Sequence, residues 1–93
     1  MNVHVTAEEG QDVQLQCPQH EKNSRVTWWK NHDRIVSGDK VRRNFEDHMS
    51  YDTTSGNLII HEVTLNDSDV YWCGAGYDEP REVYLQVLGK SLH

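Results

Sequence analysis

The stretch DSDVYWCGAG, residues 67–76, sets two aromatic rings and a cysteine side by side. In an extended chain, neighbouring side chains leave on opposite faces and every second one shares a face. Tyr71 and Cys73 therefore point one way and Trp72 the other. One of these faces is a core and the other is a surface that something else can use.

The same alternation recurs through the chain. In DVQLQC (12–17), Val13, Leu15 and Cys17 share a face opposite Gln14 and Gln16. VTWWKN (26–31) puts Val26 and Trp28 on one side and Thr27 and Trp29 on the other. NLIIHEV (57–63) offers Leu58, Ile60 and, after a bend, Val63; EVYLQV (82–87) groups Val83, Leu85 and Val87 against Tyr84 and Gln86. Turn-rich pieces such as AEEGQD, SGDK, TTSGN and LNDSD separate these runs, and no stretch of ten or more residues keeps a helical apolar period. Short strands punctuated by turns predict an all-β, two-layer sandwich. Residues 37–51 are polar, and their register is weakly specified.

Composition bounds the function. Fifteen acidic residues against nine basic ones give a net charge of -6, the wrong sign for tracking a nucleic-acid backbone. With a mean hydropathy of -0.82 and no apolar run near the length of a bilayer span, membrane attachment is expected only through a segment outside this chain. Its 93 residues fit a single domain over 1–93, with about 3–88 as the ordered core and 89–93 as a tail toward a stalk or a next domain. Cys17 and Cys73 are too far apart and too isolated for a zinc knuckle. A disulfide, and with it an oxidising compartment, is the better reading; two buried free thiols are the alternative.

Taken together, these residues resemble an immunoglobulin superfamily domain of variable or intermediate type, as found in leukocyte cell-surface receptor ectodomains. Gly10, Val13, Leu15 and Cys17 resemble its second strand, and Trp28, eleven residues after Cys17, its core tryptophan. Leu58, Ile60, Val63, Asp67, Tyr71 and Cys73 match the pattern L-x-I-x-x-V-x-x-x-D-x-x-x-Y-x-C. The resemblance implies a Greek-key sandwich with one Cys17–Cys73 disulfide between its sheets. It also implies Trp28 beside that bridge and a Tyr71 hydroxyl bonded to nearby backbone. Asp67 is then expected to pair with an arginine at the start of the fourth strand of the family, Arg43 or its neighbour Arg42. Asp69 stands where the family usually carries glycine, so a reshaped or strained turn is expected there. The strand called C″ in the family is expected to be vestigial or missing.

Parity places Trp29, Trp72 and Tyr84 together on the outward face of the sheet built from the family's strands C, F and G. Three large aromatics on one surface mark an interaction site. The loop AGYDEPRE is the second candidate, with Tyr77 as an amphipathic anchor, Asp78, Glu79 and Arg81 supplying charge, and Pro80 limiting freedom. Asn66 begins the glycosylation acceptor NDS, although Asp67 in its middle and the tight turn weigh against occupancy. The six histidines show no metal-ligand spacing, and no nucleophile–base set or phosphate loop is visible, so neither an enzyme nor a metal or other cofactor is expected. The expected function is extracellular recognition by an immune receptor or coreceptor. Its partner would be a protein on another cell or a receptor subunit, with homodimer and heterodimer both in view. A homophilic adhesion module and a spacer in a tandem array are the alternatives.

Overall fold

The computed structural model describes residues 3–18, 25–75 and 79–89. Among them run nine strands: β1 Val3–Glu8, β2 Val13–Leu15, β3 Val26–Lys30, β4 Asp33–Ser37, β5 Lys40–Val41, β6 Met49–Tyr51, β7 Leu58–Ile60, β8 Asp69–Ala75 and β9 Arg81–Leu88. They form a six-stranded sheet in the order β1-β9-β8-β3-β4-β5 and a three-stranded sheet in the order β2-β7-β6. Strand β1 runs parallel to β9, and every other pairing is antiparallel. The β4–β5 addition to the larger sheet is the variable-type arrangement. The expected vestigial strand is β5, two residues long.

Alternation predicts the inner faces correctly. Val13, Leu15, Val26, Trp28, Leu58, Ile60, Tyr71, Cys73, Val83, Leu85 and Val87 are all buried in one core. Cys17 and Cys73 are bonded across the sheets, with Cα atoms 5.8 Å apart. Trp28 is fully buried and pairs in register with Cys73 on the neighbouring strand. Its indole N–H donates to the Gly56 carbonyl at 2.9 Å, so the one polar atom of the ring is satisfied. Gly56 can offer that carbonyl because its φ of 78° lies where glycine is at ease. Just before it, N–H groups of Thr54 and then Ser55 donate to Asp52 and hold its carboxyl below the usual aspartate range. A second tie between the sheets comes from Tyr51, whose hydroxyl accepts the Val26 N–H at 3.0 Å.

Next to the 3-10 turn that precedes β8, the Tyr71 hydroxyl donates to the Asp67 carbonyl at 2.7 Å. Burial, reinforced by the nearby charges of Asp67 and Asp69, raises the Tyr71 pKa above its ordinary value. The carboxylate of Asp67 departs from expectation. Its Oδ2 accepts from the Thr64 N–H at 2.8 Å and lies 2.8 Å from His48 Nε2, whereas Arg42 and Arg43 are both exposed and pair with neither oxygen. The turns over residues 42–48 carry the two arginines to solvent and bring His48 back beside the 3-10 turn Leu65–Asp67. Asp69 is unstrained. It opens β8 without a positive φ, and its Oδ1 accepts the Val70 N–H at 2.7 Å.

Candidate functional site

The outer surface of the six-stranded sheet is set by the same parity that builds the core. Because Tyr71 and Cys73 point inward, Trp72 must point out; because Val26 and Trp28 point inward, so must Trp29. Register then brings the two outward indoles together, since Trp29 and Trp72 are directly opposed on β3 and β8. Each is half-buried. On the far side of Trp29, the Arg34 guanidinium on β4 lies 5.9 Å from the ring centroid, a cation–π arrangement.

Tyr84 is 37% exposed and belongs to the same face, one step along β9, opposite Val70. Its ring meets that of His4 on β1, with centroids 5.5 Å apart and planes tilted by 47°. Aromatic surface therefore runs across β1, β9, β8 and β3. A register shift between Trp28 and Trp29 puts Arg34, rather than a neighbour, beside Trp29.

Two open grooves meet at Trp29. One, of about 470 Å³, runs from Asn31 and His32 at the β3–β4 turn, over Trp29 and Trp72, to Glu79 and Pro80. The other, of about 500 Å³, is polar and lined by Trp29, His32, Asp33, Arg34, Ser37 and Arg42. The first suits an apolar side chain and the second an anionic one. Glu79, Pro80 and Arg81 are exposed where the chain enters β9, so Glu79 joins the aromatic face; Tyr77 and Asp78 lie outside the described residues. Asn66 is exposed on the 3-10 turn, its carbonyl accepting from Lys30 Nζ at 3.0 Å, while Ser68 of the same acceptor motif takes the Val87 N–H at 2.8 Å.

Sequence reasoning took His4 and His48 only as surface histidines without metal-ligand spacing, and gave Arg34 and Glu82 no role. Glu82 and His4 share the outward parity of Tyr84, but a lone charge or imidazole on a strand reads as a solvated edge. Arg34 is hidden by the register shift, and His48 by the family's preference for arginine at that corner.

The immunoglobulin domain family model matches residues 3–76. Among solved structures, the first immunoglobulin-like domain of human CD48 antigen is 26% identical, with a TM-score of 0.84, over 98% of this chain and 85% of that one. The CD2-binding domain of CD58, lymphocyte function-associated antigen 3, is 21% identical with a TM-score of 0.77. The match covers 94% of this chain, which spans about half (54%) of the CD58 chain. CD84 is 16% identical with a TM-score of 0.74, over 97% of this chain and 100% of that one. With the bridging cysteines, the buried Trp28 and the Tyr71 corner all in place, this chain belongs to the immunoglobulin domain family.

Proposed function

We propose that this domain is the extracellular recognition module of an immune cell-surface protein and that it binds a protein partner through the outer face of β9, β8, β3 and β4. The observation that carries this reading is the opposed pair Trp29 and Trp72 on a solvent-side surface, with an open apolar groove over both and a polar one beside Trp29. A large aromatic patch ringed by charge is the anatomy of a protein interface. The likeness to the first domain of CD48, and to a domain of CD58 described as CD2-binding, supports a receptor setting. In this reading Glu79 and Pro80 extend the contact from the edge of the face, whereas Arg81, the register partner of Cys73, lies on the opposite parity. Tyr84 extends it toward β1.

A binding screen of the wild-type chain and Trp72→Ala against leukocyte ectodomains tests the reading. We expect a partner whose affinity falls at least about tenfold in Trp72→Ala, the scale of a central aromatic anchor, while the thermal midpoint stays within a few degrees. Undiminished binding by the variant, or its failure to fold, would show that Trp72 is not the anchor.

A further inference from the structure

The polar groove along β4 holds two guanidiniums that no acid neutralises. Arg34 stands in register beside Trp29, with its guanidinium 5.9 Å from the indole centroid. Arg42 is drawn alongside β4 by its own N–H, which donates to the Ile35 carbonyl at 2.7 Å and continues the β4–β5 pairing past Val41. The ion pairs formed among the described residues are Arg25–Asp39, His48–Asp67 and His61–Asp12. Neither Arg34 nor Arg42 is among them, although Asp33 lines the same groove. Two cationic forks and one carboxylate thus face a common space of about 500 Å³, and Trp29, His32 and Ser37 complete its lining.

A space of that size falls in the range of small-molecule sites and exceeds what one acidic side chain fills. Its chemistry is divided. The guanidiniums select a carboxylate, which each can grip with two parallel N–H donors. Asp33 opposes a bare anion in the same space, but it accepts from hydroxyl groups, and Ser37 can both give and accept. The indole adds an apolar plane. Sulfate, or the side chain of a glutamate, satisfies the arginines and leaves Asp33 facing a like charge. A long polyanion is opposed further by the net charge of -6. A ligand that meets every demand carries one carboxylate, several hydroxyls and an apolar ring face within the width of a single ring, because Trp29 and Arg34 are register partners.

We propose that this groove is a binding site for a sugar acid, a pyranose that carries its carboxylate directly on the ring. Arg34 and Arg42 hold the carboxylate, Asp33 and Ser37 take the ring hydroxyls, and Trp29 covers the apolar face of the ring. The site goes beyond the proposed protein contact. It shares Trp29 with that contact and makes no use of Trp72, which lines only the apolar groove.

Titration of the isotope-labelled 93-residue chain with methyl glucuronide and with N-acetylneuraminic acid, followed by NMR at physiological ionic strength, tests this. Wild type is expected to bind at least one of them with a Kd on the order of 1 mM, moving the signals of Trp29 and Arg34; the acid that binds names the ring. Methyl glucoside, a ring without the carboxylate, and an acetylated, amidated glutamate, a carboxylate without the ring, should each bind at least tenfold more weakly. Arg34→Gln and Arg42→Gln should each weaken the sugar acid at least tenfold, the loss of a charge-assisted contact. Arg43→Gln removes the same charge outside the groove and should change it by less than twofold. Asp33→Ala should weaken the sugar acid and strengthen the glutamate, a reversal that a plain anion site would not show. Spectra unchanged away from the groove establish that each variant is folded. Wild type that binds neither acid at about 10 mM would overturn the site, as would equal binding of the glutamate or an equal loss in Arg43→Gln. A chain that ignores both acids yet loses an ectodomain partner on Trp72→Ala overturns the sugar site alone. One that binds a sugar acid through Arg34 and Arg42 and finds no ectodomain partner sustains it without the protein contact.

Discussion

A carboxylate is tolerated in a protein interior only where donors surround it. Asp67 meets that condition with the Thr64 N–H and the His48 imidazole on its side chain, while its carbonyl receives the Tyr71 hydroxyl. The His48 side chain is 36% exposed, which discounts its contribution. A double-mutant cycle with His48→Ala and Asp67→Asn is expected to give a coupling of about 1 kcal/mol, measured by denaturant unfolding. Arg43→Ala should change stability by less than about 0.5 kcal/mol, as for other surface positions. Tyr71→Phe should cost about 1 kcal/mol at neutral pH through the lost hydrogen bond. Tyr71 also makes stability depend on alkaline pH. Its folded pKa is raised above the ordinary 10.0, so the neutral phenol is favoured in the folded state. The associated stability is complete below 10.0 and is lost above it, as the unfolded chain ionises and the folded one does not, by about 1.4 kcal/mol one pH unit higher. Unfolding free energies on either side of that pH should show this loss in wild type and a smaller one in Tyr71→Phe.

Turns decide how the elements meet, and the β4–β5 turn is the most demanding. Gly38 and Asp39 have φ of 59° and 67°, the paired left-handed residues of a two-residue hairpin closed by Ser37 and Lys40. An added methyl at Gly38 would meet nothing within 4 Å, so Gly38→Ala isolates the conformational penalty. It should destabilise by about 1 kcal/mol, whereas Gly89→Ala, equally open and without a positive φ, should not; thermal midpoints of both variants check this. Turn chemistry at SGDK was legible in the sequence, and so were the inward faces of β2, β3, β7, β8 and β9, because a period of two survives wherever one side is core. Legibility ended where the period broke. On β4, Ile35 and Val36 are both buried, which follows from the register shift at Trp28 and Trp29 and leaves no alternation to place Arg34. For Asp67 the sequence offered Arg43 or Arg42, and only the path of successive turns over residues 42–48 selects His48 instead. The aromatic half of the face was readable from parity alone. Its charged ends were not, because a charge on an exposed strand position signals nothing until register shows what stands beside it.

At the scale of the molecule, the Cys17–Cys73 link spans 56 residues of a 93-residue chain. Closing a loop of that length removes about 4 kcal/mol of unfolded-state entropy in the polymer model. Domains of this size are stable by only about 5–15 kcal/mol, so the bridge accounts for a large share of the total. Trp28 depends on the same place, being the register partner of Cys73 and fully buried. Replacing both cysteines by alanine should therefore lower the unfolding free energy by about 4 kcal/mol, and Trp28→Ala by about 3–5 kcal/mol. The two losses should not add. Residues in contact couple, and a core already loosened at the bridge gives up less when the indole goes. The combined variant, if it folds at all, should then retain more stability than the sum of the single losses allows, as read from denaturant midpoints. Strict additivity would mean that the indole and the bridge act independently, and that the larger sheet keeps its shape without the covalent tie. In that case, reduction should leave Trp72 and Trp29 presented as before. If instead the losses couple, reducing agent should abolish recognition through the outer face in step with unfolding of the core behind it.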